Sequence, residues 1–244
     1  GWLLVVPALC LLLLISAWEI WSWSDVGPDA AIGPTVTVVT YNIQSGFSAD
    51  DRFDLDQTAR VIAAQQPDIV VLQEVSRGWL VTSGIDEALW LSRRLHMNYV
   101  FGANSDDGLW GNVVLSRAPL GTTQTIQYDV TANLKRSAVE VQIETQVGDL
   151  WVLATHLDDP SDAGTVRLKQ AEELVASWNR RSPALVMGDM NSVPNDPVIL
   201  TLRSAGFVDY GEALDAAAYT SHDHRRIDYI LGTRDMLLRD IRIP

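Results

Sequence analysis

Polar side chains stand at the carboxyl ends of several strongly apolar segments of this sequence. A carboxylate at the end of a buried strand costs far more than one on an exposed helix face, so it is usually paired or coordinated. Because the pattern recurs in one segment after another, it predicts that the segments share a cleft. The residues concerned are Asn42, Glu74, His156, Asp189, Asn191 and Asp228.

These side chains supply carboxylate and carboxamide oxygens, one imidazole and no thiolate. Oxygen-rich sets suit Mg²⁺, Mn²⁺ or Ca²⁺, whereas structural zinc sites favour thiolates and imidazoles. The single cysteine, Cys10, excludes an internal disulfide and a thiolate zinc cluster. We therefore expect a hard divalent cation, with Mg²⁺ first and Mn²⁺ or Ca²⁺ as alternatives.

Each of these residues also has an ordinary structural explanation. Asn42 could close a turn, His156 could be a hydrogen-bonded core histidine, and the segment GDMNSVPNDP could be a strand-to-helix turn. The two remaining carboxylates could form ion pairs with nearby arginines. Those arginines are Arg60 and Arg77 for Glu74, and Arg225 and Arg226 for Asp228.

Short apolar runs alternate with helical patterns between the linker and the last residues. A predicted hairpin over residues 146–149 makes the sheet partly antiparallel. Strands are predicted at 35–43, 68–75, 110–117, 137–145, 150–157, 184–190 and 226–232. Helices are predicted at 54–66, 86–96, 162–181 and 196–205. The order indicates a mixed α/β domain.

Composition bounds the function. The chain has 244 residues, 47% of them hydrophobic, with nine Trp, which is typical of a globular protein with a sizeable core. Its 18 Lys and Arg against 31 Asp and Glu give a net charge of −13. This charge argues against a sequence-independent nucleic-acid binder and fits a cation site better.

The N-terminal residues are predicted to form a transmembrane helix over residues 1–23, followed by a linker at 24–34. Residues 2–18 carry no charge, and Trp21 and Trp23 lie where an interfacial aromatic belt belongs. A cleaved signal peptide is the alternative, but it would need a basic start and a small-residue cleavage site. Because residues 2–51 lack Lys and Arg, we expect the following domain to be membrane-anchored on the extracytoplasmic side.

The segments TYNIQSG, PDIVVLQEV, GNVVLSR, THL, GDMNSVPNDP and RIDYIL, in this order, resemble the endonuclease/exonuclease/phosphatase superfamily. That superfamily includes pancreatic deoxyribonuclease, apurinic endonuclease, neutral sphingomyelinase and inositol polyphosphate phosphatases. The segment GWLVTSGIDEALWLSRRLHMNYVFG further resembles the C-terminal domain of membrane-bound proteins related to the GPI-anchor lipid-remodelling protein. The resemblance implies a four-layered α/β sandwich, over residues 35–244, and metal-dependent cleavage of phosphate esters.

The resemblance also implies roles for individual residues. Glu74 would bind the metal with help from Asn42, and Asp189 would orient or deprotonate the attacking water. A further group would contact the phosphate or line the cleft. That group consists of Asn191, His156 as a donor to a non-bridging oxygen, Asn112 of GNVVLSR, and Asp228 as the acid that orients a second histidine.

One element of the family pattern is missing. The family closes with Ser-Asp-His soon after the RIDYIL strand, whereas this sequence stops at Pro244 without it. We therefore expect the domain to be truncated at its C-terminus and catalytically incomplete as shown. His222 and His224 precede the Asp228 strand and are weak substitutes for the absent histidine.

Three function classes remain at this point. The first is a phosphodiesterase acting on a lipid or glycolipid headgroup at the bilayer. The second is a nuclease of the same fold, which is disfavoured because the basic residues are scattered in pairs. The third is a catalytically inactive domain that binds a lipid or a protein partner. The sequence gives no information on the oligomeric state.

Overall fold

The computed structural model describes residues 5–7, 10–14, 16, 32–159, 162–215 and 217–244. One mixed sheet has the strand order β1-β2-β4-β3, with β1 and β2 parallel and the other neighbours antiparallel. Its strands are β1 (Val38–Asn42), β2 (Ile69–Ser76), β3 (Asn98–Ala103) and β4 (Trp110–Ser116).

The second mixed sheet has the order β5-β6-β7-β8-β10-β9. Here β7 and β8 are parallel, and the remaining neighbours are antiparallel. Its strands are β5 (Leu120–Gln127), β6 (Ser137–Thr145), β7 (Gly148–His156), β8 (Ala184–Asp189), β9 (Phe207–Asp209) and β10 (Asp228–Thr233).

Helices cover the outer faces of both sheets. They are α1 (Leu55–Ala64), α2 (Glu87–Leu95), α3 (Gly164–Trp178) and α4 (Pro197–Ala205). Asp54 and Asp86 cap the first two helices by accepting bonds from the amides of Gln57 (2.8 Å) and Leu89 (3.0 Å). Such caps satisfy amides that have no partner within the helix.

Alternation along the strands builds the layers. In β2, Val71 packs between the sheets against β6 and β7, while Val70 and Leu72 face the outer layer of α1 and α2. In β7, Val152 points between the sheets and Leu153 packs towards α3 and α4. The predicted α/β sandwich of two mixed sheets therefore fits the structure.

The structure also contains strands that the sequence did not predict. These are β3, β5 and β9, and each lies at an edge of its sheet. An edge strand buries less of its surface, so its sequence need not be strongly apolar. In β5, LGTTQTIQ is mostly exposed and carries little apolar signal.

The prediction of a transmembrane helix over residues 1–23 is wrong. No helix in the part of the chain that the structure describes is long and apolar enough to cross a membrane. Bilayer spans need about 20 consecutive apolar residues, whereas α3, the longest helix named above, has 15 residues and carries several charges. Residues 5–7, 10–14 and 16 of the predicted span are helical, and its other residues lie outside the described ones. The predicted membrane localisation depended on this span and is corrected with it. Most of the predicted linker at 24–34 also lies outside the described residues.

Candidate active site

Strand pairing brings the predicted site residues to one edge of the sandwich. Parallel β7 and β8 end side by side, with His156 opposite Asp189 in the register. Antiparallel β10 begins at the same edge, with Asp228 opposite Asp189. In the other sheet, the parallel strands β1 and β2 place Asn42 beside the end of β2. The polar strand ends of two sheets therefore meet across the sandwich.

Asn42 joins the two sheets through its side-chain amide. Its Nδ2 donates to Oε1 of Glu74 at 2.9 Å and to Oδ2 of Asp189 at 3.2 Å. Its Oδ1 accepts from the backbone amide of Gln44 at 3.1 Å. Asn42 thus makes the turn contact of the structural explanation and also holds two carboxylates on one donor group.

Unusual backbone conformations aim the carboxylates into the cleft. Glu74 has φ +56° at a register shift between Leu72 and Val75, so its side chain leaves the regular alternation of β2. Asn191 has φ +47°, and its backbone amide donates to Oδ1 of Asp189 at 2.9 Å. Non-glycine residues rarely adopt positive φ, and such strain is concentrated at functional sites.

Close approach of β7 and β8 requires the glycine just before Asp189. At Gly188, with φ +139°, a Cβ atom would lie 1.9 Å from the carbonyl oxygen of Thr155. Any side chain at this position would force the two strands apart. The site edge is therefore built on a strand pair that only glycine allows.

His156 is a neutral donor held in place by an arginine. Its ring is 2% exposed, and Nη1 of Arg136 lies 3.0 Å from Nδ1. Because a guanidinium has no acceptor, Nδ1 must accept this bond, and the single proton of the neutral ring is then on Nε2. Burial, and secondly the charge of Arg136, hold the pKa of His156 well below its usual range.

The Nε2–H group of His156 has no matched acceptor among the described residues. The side-chain Nδ2 of Asn191 lies 3.2 Å from Nε2, but it is itself a donor and already donates to the Leu157 carbonyl at 3.0 Å. Oδ2 of Asp189 lies 3.8 Å away, which exceeds a hydrogen bond. Two donors therefore converge beside Asp189, an arrangement that suits an anionic oxygen.

Two carboxyl groups of the site have raised pKa values. Burial raises the pKa of Asp189 to about 6, the nearby charge of Glu74 adds to the rise, and the Asn191 and Asn42 donors oppose it. Burial, followed by the charge of Asp189, raises the pKa of Asp228 to about 8. The buried Oδ1 of Asp228 accepts no hydrogen bond from the described residues. Burial and the neighbouring carboxylates therefore both favour the protonated forms of Asp189 and Asp228.

The arginines that could have neutralised Glu74 and Asp228 pair elsewhere. Each of them contacts a different carboxylate, so ion pairing with these arginines does not explain either residue. The pairs are Arg60 with Asp56, Arg77 with Asp86, Arg225 with Asp223, and Arg226 with Asp209.

Asn112 is buried in β4 and bonds to other partners. Its Nδ2 donates to the Ser137 carbonyl at 2.9 Å and lies 3.5 Å from Oδ1 of Asn104. Its buried Oδ1 finds no partner within the described ranges. No described hydrogen bond joins Asn112 directly to the other predicted residues. Of the proposed substitute histidines, His224 packs edge-on against Tyr219.

Sequence reasoning missed the groups that support His156. Arg136 is buried, and its Nε lies 3.8 Å from Oδ1 of the fully buried Asp158. Its guanidinium group lies over the ring of Trp110. Burial lowers the pKa of Arg136, while Asp158 opposes that effect. The signals in the sequence were Asp158, directly after THL, and Arg136, immediately before the β6 strand.

The donor set fits a hard divalent cation with few protein ligands. No group of three or more His, Cys, Asp or Glu within the described residues is arranged to enclose a metal. Mg²⁺, however, is commonly held by one or two carboxylates and several waters. Glu74 and Asp189 share one amide donor, and Asp228 has an unpartnered oxygen, so added positive charge would relieve their repulsion.

Two mixed sheets that join polar strand ends at one edge define an α/β sandwich with an acidic cleft. The chain belongs to the Endonuclease/Exonuclease/phosphatase family, whose sequence profile matches residues 39–244. Members of this family hydrolyse phosphoester bonds. No curated protein matches the chain significantly.

Solved structures with the same fold include three from different sources. An endonuclease/exonuclease/phosphatase from Beutenbergia cavernae is 25% identical over 82% of this chain and 64% of its own, with a TM-score of 0.67. This chain thus spans less than two thirds of that protein. The human Nocturnin catalytic domain with bound sulfate is 19% identical (82% of each chain, TM-score 0.64). A Bacteroides thetaiotaomicron mannosyl-6-phosphatase is 18% identical (82% of this chain and 86% of its own, TM-score 0.65). None of these matches supports the finer resemblance to GPI-anchor remodelling proteins.

Proposed function

We propose that this protein hydrolyses a phosphodiester in a reaction that depends on a divalent metal, at the cleft formed by Asn42, Glu74, His156, Asp189 and Asn191. The observation that carries the proposal is the Asn42 amide. It holds a carboxylate from each sheet, beside a neutral imidazole whose free N–H faces the same point. Phosphoryl transfer needs a positioned water, a proton acceptor and neutralisation of charge on the phosphate oxygens.

Asp189 is the proton acceptor in this proposal. Its pKa of about 6 leaves it mostly ionised at neutral pH yet more basic than an ordinary aspartate. A base with a pKa near the working pH is effective in general base catalysis. The backbone amide of Asn191 and the side chain of Asn42 each donate to one carboxylate oxygen of Asp189, so the base has a defined direction.

His156 and Asn191 bind the phosphate. The Nε2–H of His156 and the side-chain Nδ2 of Asn191 both donate to a non-bridging oxygen, which carries more charge in the transition state. Arg136 acts through His156, since it fixes the tautomer and keeps the ring neutral. Asn112 would line the cleft, as the family resemblance implies.

Glu74 would hold the metal, with Asn42 orienting its carboxylate. The cation supplies charge neutralisation and polarises the ester when it is bound. Asp228 is largely protonated at neutral pH in the metal-free protein, because its pKa is about 8. It therefore adds little negative charge beside Asp189 until a cation arrives.

The substrate is a phosphodiester, and the lipid or glycolipid headgroup is one candidate for it. The membrane span that favoured a lipid is corrected above, so the lipid now rests on the sequence resemblance alone. A nucleic acid is the second candidate. The scattered arginines and the net charge of −13 disfavour it.

The test is metal-dependent hydrolysis by purified protein. Substrates are bis(4-nitrophenyl) phosphate, mixed phospholipid and glycolipid vesicles, and plasmid DNA, each with Mg²⁺ or with EDTA. We expect Asp189→Asn to lower kcat/KM about a thousandfold, within the range for loss of a general base. Glu74→Gln should raise the Mg²⁺ concentration needed for half-maximal activity.

Glu144→Gln is the matched control. It removes one negative charge from an exposed position at the far end of β6 and should leave kcat/KM unchanged. Hydrolysis that persists in EDTA would overturn the metal dependence. Asp189→Asn protein with full activity would overturn the site, and a folded wild-type protein that cleaves no ester would favour the binding-domain alternative.

A further inference from the structure

The loop between β2 and α2 places an exposed apolar tip beside the candidate site. Leu80 is 94% exposed and Val81 is 69% exposed, within a short 3₁₀ turn over Leu80–Thr82. Single exposed apolar residues are ordinary, but here two adjacent ones follow a tryptophan. Trp79 is partly buried, so its indole presents a surface at the base of the tip.

Aromatic rings connect this tip to His156. Trp79 stacks on Trp110 with ring centroids 6.3 Å apart and an interplanar angle of 5°. Trp110 in turn lies 6.1 Å from the ring of His156. The exposed tip is therefore joined to the donor that we assign to the phosphate through packed rings, of which Trp110 is buried.

The loop is also anchored and uncharged. Residues 78–85 (GWLVTSGI) carry no ionisable side chain in a chain with net charge −13. Arg77 and Asp86 flank this stretch and pair with each other at 2.8 Å. The Trp79 indole N–H bonds to Asp107. The tip is thus held in place by its base, and its own side chains offer only apolar contact.

We propose that Trp79, Leu80 and Val81 form a specificity subsite that binds the apolar substituent of a single, dissolved phosphodiester molecule whose phosphate lies at His156. This inference rests on the proposed function. The distance favours such an occupant, because the two ring contacts set Trp79 more than one aromatic ring away from His156. A methyl ester is too short to reach the tip, whereas a long alkyl group attached to the phosphate reaches it.

The test uses 4-nitrophenyl alkyl phosphates with methyl, butyl and octyl groups, all below their aggregation limit. The leaving group and the readout stay constant, and only the apolar substituent changes. Each methylene removed from water can strengthen binding by up to about fourfold. We expect kcat/KM of the wild type to rise at least about tenfold from methyl to octyl, chiefly through KM.

The variants are Trp79→Ala and the double variant Leu80→Ser/Val81→Ser. In both we expect the octyl-to-methyl ratio of kcat/KM to fall to about one. Leu237→Ser is the control, because Leu237 is 90% exposed beyond the opposite end of β10. It should keep the wild-type ratio.

The outcomes separate this inference from the proposed function. If the wild type cleaves none of the esters, the proposed function fails. If it cleaves them with the same chain-length dependence in all variants, the subsite is overturned while the proposed function stands. Sedimentation with phosphatidylcholine vesicles provides the remaining arm. If the loop variants lose vesicle binding but the chain-length ratio is flat in every protein, the tip contacts a lipid surface and the single-molecule subsite is wrong.

Discussion

Carboxylates in two regions of this protein have opposite kinds of partner. Away from the site, Asp209 receives two bonds from Arg226, at 3.0 and 2.7 Å, and Glu140 pairs with Arg181. At the site edge, Glu74, Asp189 and Asp228 lie near one another, and none has an arginine among the described ion pairs.

The difference separates structural charges from functional ones. A buried carboxylate that only supports the fold is stable when its partner stays with it. At the site, Glu74 and Asp189 instead share the neutral side-chain amide of Asn42, and burial raises the pKa values of Asp189 and Asp228. An arginine in contact with them would occupy the position that a cation or a phosphate needs. The unbalanced charge is therefore a property of the site, and the following changes test it.

The largest effect is expected where a structural pair is broken. Arg226→Met leaves the carboxylate of Asp209 buried without its bidentate partner, which typically costs about 3–5 kcal/mol. Urea unfolding at pH 7 measures the loss. Arg225→Met removes an exposed pair with Asp223 and should cost less than about 1 kcal/mol. Equal costs for the two variants would show that Asp209 is not a compensated buried charge.

A smaller effect is expected from adding the missing charge to the site. Mg²⁺ at about 100 times its dissociation constant should stabilise the folded protein by about 2.7 kcal/mol, because it binds the native state. Urea unfolding across a Mg²⁺ series, with EDTA as the zero point, provides the measurement. The increase should shrink in Glu74→Gln and persist in Glu144→Gln. Stabilisation of the same size in Glu74→Gln would move the cation away from this cleft.

A third effect concerns Asp228 and the pH dependence of stability. Its pKa is about 8 in the metal-free folded protein and near its ordinary value of 3.8 when unfolded. The folded state thus holds this proton more tightly, and the free energy of unfolding falls as pH rises from about 4 to 8. Asp228→Asn has no such proton and should be more stable than the wild type at pH 8, by about 1 kcal/mol or more.

This pH comparison is made in EDTA, with both proteins unfolded in urea at pH 5 and pH 8. The difference between them should be small at pH 5 and grow towards pH 8. A difference that stays constant over that range would mean that Asp228 does not titrate in this window, and that its charge is compensated after all.

Much of the sandwich could be predicted because the central strands are strongly apolar. The strand that carries Glu74, predicted at 68–75, is Ile69–Ser76, and the strand predicted at 184–190 is Ala184–Asp189. The edge strands β3, β5 and β9 were missed, since partial burial leaves a weak hydrophobic pattern.

Most residues of the site were predicted from the sequence, but the contacts between them were not. Asn42, Glu74, His156, Asp189 and Asn191 are joined by hydrogen bonds, whereas the described hydrogen bonds of Asn112 go to Asn104 and Ser137. The contact of Arg136 with His156 was missed although the predicted hairpin joins β6 and β7, because the register of the two strands decides which side chains meet.

The Asn42 amide also has a mechanical consequence. It belongs to one sheet, and one of its acceptors belongs to the other, so sliding of the two sheets by about an ångström would take the 3.2 Å bond beyond hydrogen-bonding range. Interlocked side chains between the sheets, such as Val71 and Val152, resist that sliding. The alignment of the reacting groups is thus set by the stiffness of the whole interlayer, and a void opened there would slow turnover while the domain is still folded.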